Sequence, residues 1–182
     1  MASVALVSIL CRDQVGLVAA IADHLFSQGI NLRDTTFAAL GKGAEFTSVC
    51  ELPSGFPPTS LEDGLALVPE LEGAQIRVVP YGFDPVPGPM GRITHRIEVE
   101  GGDQLGLIAR LAEIFAQYDA NIVRLDAQKL PEAEGGRYVT RFAVWLAPER
   151  GETCLAAVAN TAGSMGLVSR AEPIAGAGRG KK

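Results

Sequence analysis

DQVGLVAAIA at residues 13–22 and DQLGLIARLA at residues 103–112 are nearly the same words, ninety positions apart. Sliding the chain by that interval aligns 13–31 with 103–121 without a gap. Asp, Gln, Gly, Leu, two Ala and Asn are identical, and most other positions exchange one apolar residue for another. A repeat of this length exceeds the solenoid range, so each copy reads as a small domain.

Each copy opens with a strand. SVALVSIL at 3–10 is almost wholly apolar, and THRIEVE at 94–100 alternates. Val18, Ile21, Ala22 and Leu25, then Ile108, Leu111, Ala112 and Phe115, fall at helical spacing and predict one apolar stripe per helix. Gly29 and Asp119 follow as left-handed C-caps. Second and third strands are expected at 32–40 and 44–52, and at 122–130 and 137–146, joined by GKG and PEAEGG turns. SLEDGLALV predicts a helix capped by Ser60 with Asp63 three residues on. Its counterpart ETCLAAVANTA carries the stripe Leu155, Val158, Ala159 and Ala162, and QIRVVPY and GLVSRAEPI close the two copies. The order βαββαβ twice predicts an α+β chain of two ferredoxin-like domains, each an antiparallel sheet with its helices on one face. The boundaries are 1–80, a Pro- and Gly-rich linker at 81–92, 93–174, and a basic, flexible tail at 175–182.

Charge narrows the function. Residues 1–80 hold 4 basic and 9 acidic side chains and 93–172 hold 8 and 11, with only the tail basic. Binding to phosphates needs clustered Lys and Arg, so direct nucleic-acid recognition is disfavoured. No apolar run approaches the roughly 18 residues of a membrane span and no signal peptide is evident, which places the chain in the cytoplasm. Cys11, Cys50 and Cys154 are far apart, His24 and His95 lack nearby ligands, and no GxSxG, HExxH or P-loop pattern occurs. No enzyme, metal or cofactor is expected.

Asp13 and Asp103 read most simply as N-caps. Gly16 and Gly106 in a helix's first turn cost about 1 kcal/mol each against Ala, so a ligand or another backbone is expected to approach them closely. A helix N-terminus there suits a carboxylate. Asn31 and Asn121 open the second strands, which are expected to begin near the start of the first helix. Asn offers both donors and an acceptor to a zwitterion.

The pattern DxxGLxxxIAxxLxxxGxN followed by a hairpin resembles the ACT domain, a regulatory module that commonly binds amino acids. Two copies without an enzyme domain resemble the glycine cleavage system transcriptional repressor family, and DTTFAALGKGAEFTSVCELP is close to that family's first hairpin. The resemblance implies that Asp13, Gln14, Val15 and Gly16 lie against a neighbouring ACT domain and that Asn31 contacts the ligand. Asp103, Gln104, Leu105, Gly106 and Asn121 stand at the same positions in the second copy, while Val15 and Leu17 narrow the pocket. It further implies a small amino acid, glycine or serine, as ligand, a transcription factor contacted as protein partner, and a homodimer. The copies differ at Arg33 and Asp34 against Val123 and Arg124, so two equivalent sites are not assumed. Two alternatives stay open: a regulatory subunit of an amino-acid metabolic enzyme, and a ligand-free ACT interaction module.

Overall fold

The alternating and apolar runs pair as antiparallel ladders in the computed structural model, which describes residues 3–131 and 136–174. The chain divides into two units between Pro85 and Val86. In the first, β1 (Ser3–Arg12), β2 (Asn31–Leu40), β3 (Gly43–Leu52) and β4 (Gln75–Pro80) form one sheet in the order β2-β3-β1-β4. Helices α1 (Leu17–Ser27) and α2 (Pro58–Ala66) supply the two crossovers. The second repeats this with β5 (His95–Gly101), α3 (Leu107–Gln117), β6 (Asn121–Lys129), β7 (Tyr138–Trp145), α4 (Gly151–Ser164) and β8 (Val168–Pro173), in the order β6-β7-β5-β8. Two ferredoxin-like βαββαβ units are therefore present. The segment 81–92 contains a short 3-10 turn at Pro89–Gly91. The expected second hairpin turn lies partly, and the tail wholly, outside the described residues.

Each unit has its own apolar core. Ala5, Val7 and Ile9 of β1 point inward and meet Leu17, Ile21 and Leu25 of α1 and Phe46 of β3. Ile97 and Val99, Leu111 and Phe115, and Phe142 and Val144 do the same in the second unit. Burial of this kind is the main favourable contribution to folding, at about 25 cal/mol per Å².

The helix faces are phased differently from the stripes the spacing suggests. In α1 the buried residues are Leu17, Ile21 and Leu25, with Val18 exposed and Ala22 only half-buried; in α3 they are Leu107, Leu111, Ile114 and Phe115. Leu17, Ile21 and Leu25, and Leu107, Leu111 and Phe115, form the rows at four-residue spacing that pack on the sheets. In α4 the buried face is Gly151, Cys154, Val158 and Ala162, so Leu155 and Ala159 are not its centre. Ser60 is no cap either: Pro57 is the N-cap and Pro58 the first helical residue, where a missing N–H costs nothing. The C-caps follow the expectation. Gly29 has φ +70° and Asp119 φ +53°, and Ile30 and Ala120 donate back to the carbonyls of Leu25 and Phe115 at 3.0 and 2.8 Å.

One buried polar atom differs between the copies. In the first unit Ser48 is fully buried and its hydroxyl lies 2.8 Å from that of Thr35, the residue opposite it on β2. In the second, Phe142 takes this place opposite Leu125, and the fully buried hydroxyl is that of Thr140, opposite Ala127, with no partner among the described residues. An unsatisfied buried donor is costly, whereas an apolar group of the same shape is not. Thr140→Val is therefore expected to raise stability by about 1 kcal/mol in urea unfolding; a loss of that size would show that the hydroxyl is satisfied in solution.

Candidate functional site

The repeated words form the loops that end β1 and β5 and start α1 and α3. Gly16 has φ +90° and Gly106 φ +79°, each as the N-cap residue, not within the first turn. A Cβ on either meets nothing within 4 Å. The glycines are thus required by the left-handed backbone and not by the close approach of another group within the unit. Gly16→Ala is expected to destabilise the first unit by roughly 1–2 kcal/mol, the left-handed penalty of an L-residue; unchanged thermal unfolding would contradict this.

Neither helix has a side-chain N-cap, so Asp13 and Asp103 are not the caps their position suggests. Asp13 N–H donates to the Lys42 carbonyl at 3.0 Å, and the Asp103 carboxylate pairs with Lys129 at 3.4 Å. Gln14 Nε2 donates to the Glu70 carbonyl at 2.7 Å, which ties the first loop to the turn after α2, while Gln104 is exposed. The first intrahelical bonds run from Ala20 to Gly16 and from Arg110 to Gly106, at 2.9 and 3.0 Å. The N–H groups of Val18, Ala19, Ile108 and Ala109 accordingly have no intrahelical acceptor and suit an anion. Val15 and Leu105, at 102% and 101% exposure, stand fully in solvent. Leu17 is 1% exposed and belongs to the core, so it does not narrow an open pocket.

The asparagines are not beside these loops. Asn31 is level with Glu51 and Val4, whereas the loop leaves the sheet after Arg12, eight residues further along β1 and about 26 Å away at the usual strand rise. Asn121 is likewise level with Trp145, at the end of the sheet opposite Asp103. The crossover helix carries the chain back down the sheet, so β2 starts at the far end from the helix it follows. The loop and the asparagine of one unit therefore lie at opposite ends of its sheet and are not brought together within that unit.

At the asparagine end both units share a backbone irregularity. The register of β2 against β3 shifts by one residue between Leu32 and Thr35, and that of β6 against β7 between Ile122 and Arg124. Such bulges re-aim side chains and recur next to functional sites. Around the bulge the copies diverge. Asn31 Nδ2 donates to Glu51 Oε2 at 3.0 Å, and Arg33 Nε donates to Glu51 Oε1 at 2.7 Å. Hydrogen bonds from Asn31, then Arg33, hold the Glu51 carboxyl below the usual carboxylate range. In the second unit Trp145 stands opposite Asn121, whose Nδ2 donates to the Met90 carbonyl at 2.9 Å. Arg33 and Glu51 lie outside the loop-plus-asparagine set that the repeat highlights; Arg33 is one of the differences between the copies that the sequence shows, and Glu51 is not among them.

Among the described residues no three His, Cys, Asp or Glu side chains gather where they could hold a metal ion, and no helix is long and apolar enough to cross a membrane.

No family model and no curated protein matches the chain. Solved structures do. A protein of unknown function from Galdieria sulphuraria superposes with a TM-score of 0.72 at 21% identity, covering 96% of this chain and 99% of that one. A protein provisionally described as a glycine cleavage system transcriptional repressor superposes with a TM-score of 0.63 at 16% identity, over 96% and 98%. A Streptococcus pneumoniae ACT domain protein matches at 18% identity over 44% of this chain and 91% of that one, with a TM-score of 0.40. The fold, two ferredoxin-like units in tandem, is shared over the full length with the first two of these structures. Its full-length likeness to the glycine cleavage repressor structure is a likeness of fold.

Proposed function

We propose that this protein is an amino-acid-sensing regulator that controls transcription, in the manner of a glycine cleavage repressor, by contacting a DNA-binding partner. The tandem ACT fold and the acidic charge of both units support regulation through protein contact over direct DNA binding. The observation that carries the reading is the split of each site into a loop and an asparagine at opposite ends of a sheet.

A second copy resolves that split. β2 is an edge strand, and its last residue, Leu40, is level with Arg12 beside the loop. Antiparallel pairing of β2 with β2 of another copy sets the start of one strand beside the end of the other, and so brings Asn31 of the second copy to the Asp13–Gly16 loop of the first. Val18 and Phe26, at 43% and 81% exposure, flank α1 one above the other with Ala22 between them, an apolar stripe that such a dimer would cover.

A thermal-shift panel of the twenty amino acids tests this. A rise with glycine or serine and none with larger side chains is expected. No rise with any of them would remove the sensor reading in favour of a ligand-free interaction module, which the purely conformational role of Gly16 and Gly106 favours as the second reading.

A further inference from the structure

Arg33 and Glu51 are the two side chains beside Asn31 that the second copy does not reproduce. The second unit makes the same bulge and the same strand pairing with Val123 at the position of Arg33 and Trp145 opposite its asparagine, so the fold requires neither charge. Stability does not account for them: the Arg33 and Glu51 side chains are 37% and 32% exposed, and an ion pair this open to water contributes little.

Their hydrogen bonds give them another use. Arg33 commits Nε and one Nη to Glu51 Oε1, and a guanidinium has five donors in a planar fork, so others remain for a second carboxylate. Asn31 directs Nδ2 at Glu51 Oε2 in an exposed bond, and its Oδ1 is an acceptor with no partner among the described residues. A carboxylate-binding cation thus stands next to two acceptors suited to an ammonium group.

We infer that Arg33 and Glu51 determine specificity at the Asn31 site, reading the ligand as a zwitterion, with Arg33 pairing the α-carboxylate and Asn31 Oδ1 and Glu51 receiving the α-ammonium. The second copy, lacking both, is not an equivalent site. This rests on the amino-acid-sensor reading and adds the recognition chemistry and the choice of copy.

The test is calorimetric titration of the full chain with glycine, glycinamide, which lacks the carboxylate, and N-acetylglycine, which lacks the ammonium. The wild type is expected to bind glycine and to bind both analogues about tenfold more weakly or worse, as loss of a charge-assisted hydrogen bond implies. Arg33→Gln should weaken glycine about tenfold while leaving glycinamide unchanged, and Glu51→Gln should narrow the gap between glycine and N-acetylglycine. These differences between ligands are ones that a merely structural role would not move, and unchanged unfolding midpoints would exclude misfolding. If glycine binds and Asn31→Ala abolishes it, yet Arg33→Gln and Glu51→Gln bind all three compounds as the wild type does, this inference falls and the sensor reading stands. If neither glycine nor serine binds the wild type, both fall.

Discussion

Phe142→Ala is expected to lower the stability of the second unit by about 3–5 kcal/mol, the cost of truncating a buried aromatic. Phe142 is 1% exposed on β7, level with Ile97 of β5, and its ring lies 5.2 Å from that of Phe115 on α3 in a tilted pair. Removing it leaves a cavity between sheet and helix and forfeits the ring contact, worth about 0.5–1.5 kcal/mol beyond area burial. Phe46, the largest buried side chain of the first sheet, belongs to a separate cluster. A urea titration of the variant should therefore show one transition moved to lower denaturant. A loss below about 1 kcal/mol would mean that the second core closes around the vacancy far more easily than side chains at crystal density do.

The second large effect is that of the ligand. A small amino acid at a hundred times its dissociation constant is expected to add about 2.7 kcal/mol to native stability. For a unit of this size, at about 4–8 °C per kcal/mol, that raises the unfolding temperature by roughly 11–22 °C. Asn31→Ala should remove the rise, while Asn121→Ala should leave it, because Asn121 faces Trp145 and gives its amide proton to Met90 where Asn31 stands among charged partners. Equal losses from the two variants would contradict the asymmetry; a rise that survives both would place the ligand elsewhere.

Much of the architecture is legible in the sequence, since the repeat of DQxGL with a shared Asn marks two copies of one unit and each copy then parses into the same strands and helices. The C-caps at Gly29 and Asp119 are equally legible, because left-handed φ has few chemical solutions. Helix phase is not. Val18 and Leu17 are both apolar, and packing of α1 on the sheet selects Leu17, in one row with Ile21 and Leu25. Ser60 loses the N-cap to Pro57 because neighbouring prolines start the helix three residues earlier. At the site, the loops and asparagines are visible as identities, but their separation is a property of the crossover, which returns the chain to the far end of the sheet before β2 begins. The clustering of Asn31, Arg33 and Glu51 depends on cross-strand register and a bulge, neither of which leaves a mark in residue type alone.

The measurement that bears most directly on the account is calorimetric titration of the wild-type chain with glycine and with serine. The best tiny ligands reach about −1.5 kcal/mol per heavy atom, which limits glycine to a dissociation constant near the micromolar range or weaker. Saturable binding of one or both amino acids within that limit, at one site per chain, is the predicted result. The absence of heat from both, at protein and ligand concentrations sufficient for millimolar affinity, would contradict an amino-acid sensor.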